Sequence, residues 1–186
     1  MFKYYLNYDF LMAKSLEMLS EEHKNILQVI DAIFSECDAL EKGKKIDVDF
    51  FKETIDFIRG YADKFHHAKE EDILFRELSK DDVEMHCNPM QQMLYEHDMG
   101  RGFVKELEIG VELKDASIVA KNARAYGFLL KDHIFKEDNI LYPMADEILS
   151  DSAKDNILKE FYSVDKRLAK EKEKYLCFVA GLKNRK

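Results

Sequence analysis

The chain contains very few residues that interrupt a helix. Its 186 residues include only 2 prolines and 7 glycines. A sheet-rich fold needs many turns, and turns are built largely from glycine and proline. The scarcity of both therefore argues against a sheet-rich fold and favours long helices joined by short loops.

Cysteine is also scarce. The three cysteines, Cys37, Cys87 and Cys177, are an odd number, lie far apart and form no Cys-x-x-Cys pair. This distribution argues against a framework of structural disulfides. It is typical of a protein from a reducing compartment such as the cytoplasm.

Excess positive charge and long apolar runs are lacking as well. The formal net charge of −8 argues against nucleic acid or an anionic membrane as the main partner. The short basic stretch at 183–186 is predicted to be a solvated end. No apolar run approaches the roughly 18 residues that a membrane-spanning helix needs. Asp9 interrupts the aromatic N-terminal segment, which is therefore not read as a signal peptide. We expect a soluble, cytoplasmic protein.

The residues that are present suit a single amphipathic helical domain. Hydrophobic residues make up 46% of the chain and charged residues 35%, which provides both buried faces and solvent faces. Apolar side chains recur with a helical period. We predict an all-α, up-down-up-down four-helix bundle with an N-terminal arm and an additional C-terminal helix. The predicted helices cover about 20–40, 50–78, 89–113 and 117–149 in the bundle, and 152–182 outside it. The predicted division is an arm at 1–18, the bundle at 19–149, and the C-terminal helix, packed on the bundle, at 150–186.

Several residues predict where these helices begin and end. Gly43 is expected to stop the first helix. Asp47 or Asp49 is expected to cap the second, and Pro89 suits the first position of the third. Pro143 predicts a kink or an early end in the fourth helix.

Two stretches of the chain, one beginning at His66 and one at His133, align with each other without a gap. In each stretch a histidine precedes a glutamate, Glu70 or Glu137, by four residues. This spacing places both side chains on one face of a helix. Imidazole and carboxylate together are ligands for iron, manganese or zinc. One such pair is a weak signal. Two pairs, each followed by apolar residues at the same positions, predict a metal site.

The exact pairing has alternatives. His67 also has a glutamate four residues on, Glu71, so a second pair competes in the first stretch. The gap-free alignment favours the pair that contains His66, and the pair that contains His67 stays open. In the second stretch, Asp138 stays open as a replacement for Glu137.

The remaining polar residues of the two stretches suit an ordinary amphipathic helix. Lys69, Glu71 and Lys136 are predicted to form Lys–Glu pairs on a solvent face. That interpretation does not account for the recurring histidine.

Two more histidines, His23 and His97, lie on apolar faces of the other predicted bundle helices. A single histidine on such a face is more often a satisfied core residue than a ligand, and His86 is predicted to lie at the surface. Together with the duplicated pairs, however, one inward histidine from each helix and two carboxylates can surround a pair of metal ions. This donor set suits iron, with manganese or zinc less favoured. The predicted metal ligands are His23, His66, Glu70, His97, His133 and Glu137.

Four stretches of the chain, 19–23, 66–75, 93–101 and 133–145, resemble the four helical signatures of the hemerythrin-like (HHE cation-binding) family, in that family's order. The resemblance covers about residues 19–148. It implies a four-helix bundle with a non-haem di-iron centre, in which two carboxylates and an oxo or hydroxo group bridge the irons. Family members bind O2, sense oxygen or iron, handle NO or peroxide, or are linked to the repair of iron centres.

The chain departs from the oxygen-carrying members of that family at one position. Those members have a fifth histidine on the third helix, four residues from its partner, whereas the residues four either side of His97 are Met93 and Arg101. The departure implies a coordination position that is open or filled by water, tyrosine or another carboxylate. It argues against reversible oxygen carriage and favours redox chemistry or sensing.

The resulting prediction is a cytoplasmic di-iron protein that binds or responds to O2, NO or peroxide. One alternative is an enzyme that decomposes peroxide or NO at the same site. Another is an iron-sensing helical module without catalysis, for which the arm and the C-terminal helix are candidate partner surfaces.

Overall fold

The structure, a computed structural model, describes residues 5–80, 83, 88–183 and 185, with side chains described from residue 14 onward. Within these ranges the chain forms helices and no strand, which confirms the all-α prediction there. His86 and Cys87 lie outside the described residues, as do residues 1–4 of the predicted arm. The helices are α1 (Tyr5–Glu41), α2 (Val48–Phe57), α3 (Phe75–Leu78), α4 (Met90–Leu113), α5 (Ala116–Lys136), α6 (Tyr142–Ile148), α7 (Asp151–Arg167) and α8 (Ala169–Leu182). Three π-helical segments, Ile58–His67, Glu70–Leu74 and Glu137–Leu141, join them.

Helices α1 to α6 and the π-helical segments form four long helical runs that correspond to the four predicted bundle helices. The first run begins at Tyr5, so the described part of the predicted arm belongs to α1. Helix α5 packs against both α1 and α4. A helical bundle is therefore confirmed for the described residues, while the alternating direction of its helices stays a prediction. No described helix combines the length and the apolar character needed to cross a membrane.

The predicted helix boundaries at Gly43 and Asp47 are found in the structure. Gly43 has a φ of 88°, a conformation that glycine adopts without strain. It allows the amide of Lys44 to donate to the carbonyl oxygen of Ala39 at 3.0 Å, which satisfies the end of α1. The Asp47 carboxylate accepts from the amide of Phe50 at 3.0 Å and caps α2.

Helices α4 and α5 approach each other closely at their connection. A Cβ atom on Gly110 would lie 2.8 Å from the side chain of Ile118 and 3.0 Å from the backbone nitrogen of Val119. Only glycine leaves room for this contact. It brings the helix that carries His97 against the helix that carries His133.

Two of the described π-helical segments, Glu70–Leu74 and Glu137–Leu141, lie at equivalent places in the two stretches that repeat in the sequence. The amide of Phe75 donates to the carbonyl oxygen of Glu70, and the amide of Tyr142 donates to that of Glu137, five residues back in each case. A five-residue bond encloses one residue more than an α-helical bond does, so the chain turns less per residue. Neighbouring side chains therefore diverge less than they would on an α-helix.

The predicted C-terminal helix is two helices. The chain breaks at Leu168, whose φ of −106° and ψ of 20° are not helical. Helix α7 packs against α1, and α8 packs against α1 and the π-helical segment Ile58–His67. The ring of Tyr175 lies so close to Gly60 that a Cβ atom there would overlap it. These two helices therefore lie directly on the run that carries His66, although the predicted division of the chain into arm, bundle and C-terminal helix stays a prediction.

Candidate metal centre

The six predicted ligand residues lie together in the bundle interior, and each is at most 2% exposed. They come from all four helical runs. Charged and polar side chains are rarely buried to this extent unless they are paired or bind a metal. The residues are His23 on α1, His66 and Glu70 on the second run, His97 on α4, and His133 and Glu137 on the fourth run.

The ligand atoms form two adjoining groups that share Glu70. In each group the nitrogen and oxygen atoms lie within 4.8 Å of one another. Glu137 also lies between the groups, because its Oε2 is 3.3 Å from His23 Nε2 and its Oε1 is 3.1 Å from His133 Nε2. The first group is His23, His66, Glu70 and Glu137, and the second is His67, Glu70, His97 and His133.

His66 and His67 are therefore not alternatives, since both lie in the centre. His67 is 7% exposed, and its ring stacks on that of His97 with a centroid distance of 3.7 Å. On an α-helix two successive residues point about 100° apart. The π-helical segment that ends at His67 reduces this angle and lets both imidazoles face inward. The sequence analysis missed this fifth inward histidine because it assumed α-helical geometry.

The two carboxylates that were left open as alternatives, Glu71 and Asp138, lie outside both groups. Glu71 Oε1 is 2.6 Å from His97 Nδ1, and Asp138 Oδ1 is 3.0 Å from His23 Nδ1. Each contacts the outward nitrogen of a histidine, whereas Glu70 and Glu137 face the inward nitrogens.

Every histidine of the centre has a carboxylate at its Nδ1 atom. When Nδ1 donates its proton to the carboxylate, the lone pair of Nε2 points into the centre. Outer carboxylates of this kind fix the orientation and the tautomer of metal-binding histidines. The pairs are His23 with Asp138 at 3.0 Å, His66 with Glu22 at 3.0 Å, His67 with Asp63 at 3.2 Å, His97 with Glu71 at 2.6 Å, and His133 with Glu96 at 2.8 Å.

The inward atoms of the centre fit a bound cation. Oε2 of Glu70 and both carboxylate oxygens of Glu137 are buried without a hydrogen-bond partner among the described residues. Their nearest nitrogens are Nε2 atoms of the histidines, which are acceptors in the tautomer described above. Acceptors that face one another in a buried space need a positive charge between them. A metal ion bound by both donor types satisfies all of them.

The two inner glutamates differ in protonation in the metal-free centre. Burial and the charge of Glu137 raise the pKa of Glu70 well above its usual range. Burial also acts to raise the pKa of Glu137, but the charges of the nearby His133 and His23 outweigh it and hold that pKa well below its usual range. Two carboxylates this close do not both ionise without a cation. In the metal-free centre, protons on Glu70 and on the histidines therefore take the place of the positive charge that metal ions would supply.

Tyr142 adds a hydroxyl group to the centre. The hydroxyl donates to Glu70 Oε1 at 2.6 Å and lies 3.4 Å from His23 Nε2. The side chain is 3% exposed. Burial and the charge of Glu70 raise its pKa well above the usual value, so the phenol keeps its proton at neutral pH.

Metal-free protein is expected to lose stability as the pH rises from about 6.5 to about 9. Burial acts to lower the pKa of His23, but the hydrogen bond with Asp138 and the charges of Glu137 and Asp138 outweigh it and raise the pKa to about 9. The folded state thus holds this proton more tightly than the unfolded chain does. Its contribution is fully present below pH 6.5 and is lost as the pH rises through 9.

Thermal unfolding across this pH range, in the presence of a chelator, measures the effect. Metal-loaded protein is the control, and its stability should rise over the same range because metal binding requires deprotonated histidines. Equal pH dependence with and without metal would contradict the assignment.

The solvent-face prediction is wrong for Lys69, which is 0% exposed. Its Nζ atom lies 2.5 Å from Glu22 Oε1 and 2.5 Å from Asp165 Oδ1. It also lies 4.2 Å from the ring centre of Phe65. The sequence analysis missed this position because the partner carboxylates come from α1 and α7, far from Lys69 in the sequence.

The chain matches the family model of the hemerythrin HHE cation binding domain over residues 14–145. The match covers more than half of the chain and includes all of the residues of the two ligand groups. The chain belongs to the hemerythrin HHE family. Neither the curated proteins nor the solved structures that were searched contain a match to it.

The HHE domain explains why a buried cluster of histidine and glutamate lies between these helices, since the family binds cations. Helices α7 and α8 begin after the matched region ends. In this HHE chain, the ring of His67 stacks on the ring of His97, the predicted ligand on the third bundle helix. Whether each residue of the two groups binds metal stays a prediction.

Replacing His67 with alanine is expected to lower the metal content of this HHE protein from about two ions per chain towards one. The second ligand group would lose one of its three imidazoles, while the first group would keep all its members. Elemental analysis after loading measures the change. An unchanged content would support the six-ligand set without His67.

A cavity of about 1010 Å³ borders the second ligand group. His67, His97 and Arg101 are among the residues that line it. Arg101 Nη2 is 2.7 Å from both Asp63 Oδ1 and Glu71 Oε1, the carboxylates that hold these two histidines. Most of the remaining wall is apolar, and it includes Ile58, Val104, Tyr126 and Leu130.

Proposed function

We propose that this chain is a non-haem di-iron protein that binds or responds to O2, NO or peroxide. The observation that carries the proposal is the pair of ligand groups joined by Glu70 and Glu137. Five imidazoles and two carboxylates without thiolate ligands suit iron, with manganese or zinc less favoured. Iron, when bound, supplies redox chemistry and a coordination position for a small ligand.

The roles of the protein residues follow from their positions. The first group would be formed by His23 and His66, and the second by His67, His97 and His133, with both glutamates between them. The first group has one imidazole fewer than the second. Apolar side chains such as Leu19, Phe65 and Leu74, each at most 2% exposed, help to exclude bulk water.

The cavity beside His67 and His97 supports a route from solvent to the centre. Its lining includes both the partly exposed Arg101 and the buried rings of His67 and His97, so small solutes could approach the second group from solvent. The apolar part of its wall suits uncharged molecules such as O2 and NO, which need no charge pairing.

Metal content and an absorption spectrum test the proposal. Protein loaded with Fe(II) without oxygen is expected to bind about two ions per chain. It is then expected to develop near-ultraviolet absorption that changes when O2, NO or peroxide is added. Loaded protein without such a response would exclude this function, and content well below one ion per chain would exclude the metal centre itself.

Tyr142 favours a second candidate, an enzyme that decomposes peroxide or NO. Cleavage of the O–O bond of peroxide needs a proton delivered to the leaving oxygen, and reduction of two NO to N2O and water takes up two protons with two electrons from an external reductant. The Tyr142 hydroxyl keeps a proton 2.6 Å from Glu70 Oε1. A positioned group of this kind typically contributes about 10²–10⁴-fold to a rate that depends on proton transfer.

Tyr142→Phe is expected to preserve the metal content and to lower peroxide or NO turnover by at least about tenfold. The substitution removes the hydroxyl while it keeps the buried ring. Steady-state assays and elemental analysis of the same preparation measure both quantities. Tyr162→Phe, on an exposed face, is the control. Full turnover in Tyr142→Phe would remove the support for an enzyme.

A further inference from the structure

Two residues of the C-terminal helices reach the side chains that hold His66. Asp165 belongs to α7 and Lys172 to the first turns of α8, and both follow the region that matches the HHE family. The C-terminal helices are therefore not only packed on the bundle but also contact the surroundings of its centre.

The contacts form a continuous series of charged groups. Asp165 Oδ1 lies 2.5 Å from Lys69 Nζ, and Lys69 Nζ lies 2.5 Å from Glu22 Oε1. The other oxygen of Glu22, Oε2, lies 3.0 Å from His66 Nδ1. Lys172 Nζ lies 2.9 Å from Asp165 Oδ2 and 3.9 Å from Glu22 Oε1.

The series is shielded from solvent at the end near His66. The side chains of Lys69 and Glu22 are 0% and 4% exposed, and those of Asp165 and Lys172 are 24% and 27% exposed. Charges interact more strongly in such surroundings than in water. A change of charge at Asp165 or Lys172 therefore alters the electrostatic potential at the Glu22 carboxylate.

We propose that Asp165 and Lys172 are positioning residues of the metal centre, which set how strongly Glu22 attracts the proton on His66 Nδ1. The inference rests on the proposed metal centre. A carboxylate at Nδ1 makes the imidazole a stronger metal ligand. Lys69 competes with His66 for Glu22, and Asp165 draws Lys69 away from that carboxylate.

The two residues have opposite charges, so their removal has opposite effects. Without the Asp165 charge, Lys69 is held by Glu22 alone, the Glu22–His66 hydrogen bond weakens, and the centre gains positive charge. The reduced state is then favoured. Without the Lys172 charge, Asp165 and Glu22 are less neutralised, and the oxidised state is favoured.

Redox titration of iron-loaded, full-length protein tests this reasoning. Asp165→Asn is expected to shift the reduction potential in the positive direction, and Lys172→Gln in the negative direction. Direct partners of ligating histidines change metal affinity by about 10–100-fold. Because Asp165 acts through two further side chains, we expect a smaller loss in Asp165→Asn, of about three- to tenfold. Asp165→Glu keeps the negative charge, so its reduction potential and metal affinity should lie close to the wild-type values.

Asp155→Asn is the matched control, because it removes the same charge from α7 at an exposed pair with Lys159. It should leave the reduction potential and the metal affinity unchanged. A general loosening of the structure would shift Asp165→Asn and Lys172→Gln in the same direction, and that result, or no shift, would overturn the inference alone. Should Asp165→Asn fail to fold, Lys172→Gln and Asp165→Glu carry the test. A wild-type protein that binds no metal would overturn the proposed function and this inference together.

Discussion

Glu70→Gln is expected to lower the metal content from about two ions per chain to less than one. Glu70 is the residue that both ligand groups contain. Its Oε2 atom lies 3.6 Å from His66 Nε2 and 3.7 Å from His97 Nε2. Glutamine keeps the shape but removes the charge that two cations need between them. Elemental analysis after loading with Fe(II) measures the loss.

The same substitution should leave the metal-free fold intact. Burial and the charge of Glu137 raise the pKa of Glu70 well above its usual range, which favours the neutral form of Glu70 without metal. Glutamine resembles that neutral form. The melting temperature of metal-free Glu70→Gln is therefore expected to equal or exceed that of the wild type, and a large fall would argue that Glu70 has a structural role instead.

Glu71→Gln is the matched control for this experiment. Glu71 is the next residue in the chain and contacts His97 Nδ1 at 2.6 Å, but it belongs to neither ligand group. We expect it to retain about two ions per chain with an affinity lower by about 10–100-fold. Equal loss of metal in both variants would mean that the distinction between inner and outer carboxylates is wrong.

Lys69→Met is expected to destabilise the fold by about 3–5 kcal/mol, because it removes a buried lysine that pairs with two carboxylates, one of them buried. The partners are Glu22 and Asp165. For a chain of this size, the loss corresponds to a melting temperature lower by about 6–20 °C. Thermal unfolding of metal-free protein measures it without a contribution from metal binding.

Lys136→Met provides the comparison, since Lys136 occupies the position of Lys69 in the second repeated stretch. Lys136 pairs with Glu96, but its side chain is 32% exposed. Water screens this pair, so we expect a loss of at most about 1 kcal/mol. Similar losses in the two variants would show that burial of Lys69 does not determine its contribution.

The ligand residues could be predicted from the sequence because they follow helical spacing. A histidine and a glutamate four residues apart, repeated in matching apolar frames, indicate one buried face. His23 and His97 then follow from the apolar periodicity of their own helices. His67 could not be predicted in the same way, because a π-helical turn does not follow from residue spacing alone.

The carboxylates that hold the histidines follow a relationship that only the structure reveals. Several of them are the neighbours of ligands in the chain, yet they contact histidines on other helices. Glu22 follows Glu21 and precedes His23, but it contacts His66, and Glu96 precedes His97 but contacts His133. An acid beside an inward histidine is the signal that could have indicated this arrangement. Its partner depends on which helices are adjacent.

The π-helical segments have a consequence for insertions and deletions. Phe51 and Leu78, at the two ends of the second helical run, are both buried in the core. An unbroken α-helix between them would complete about seven and a half turns and leave them on opposite sides. The wider turns reduce this phase difference and help to keep the hydrophobic core and the metal-binding face on one side. Loss of a single residue between Ile58 and Phe65 would rotate the metal-binding face away from the hydrophobic core by about 100°. The metal site would then be disrupted even though the deletion removes no ligand residue.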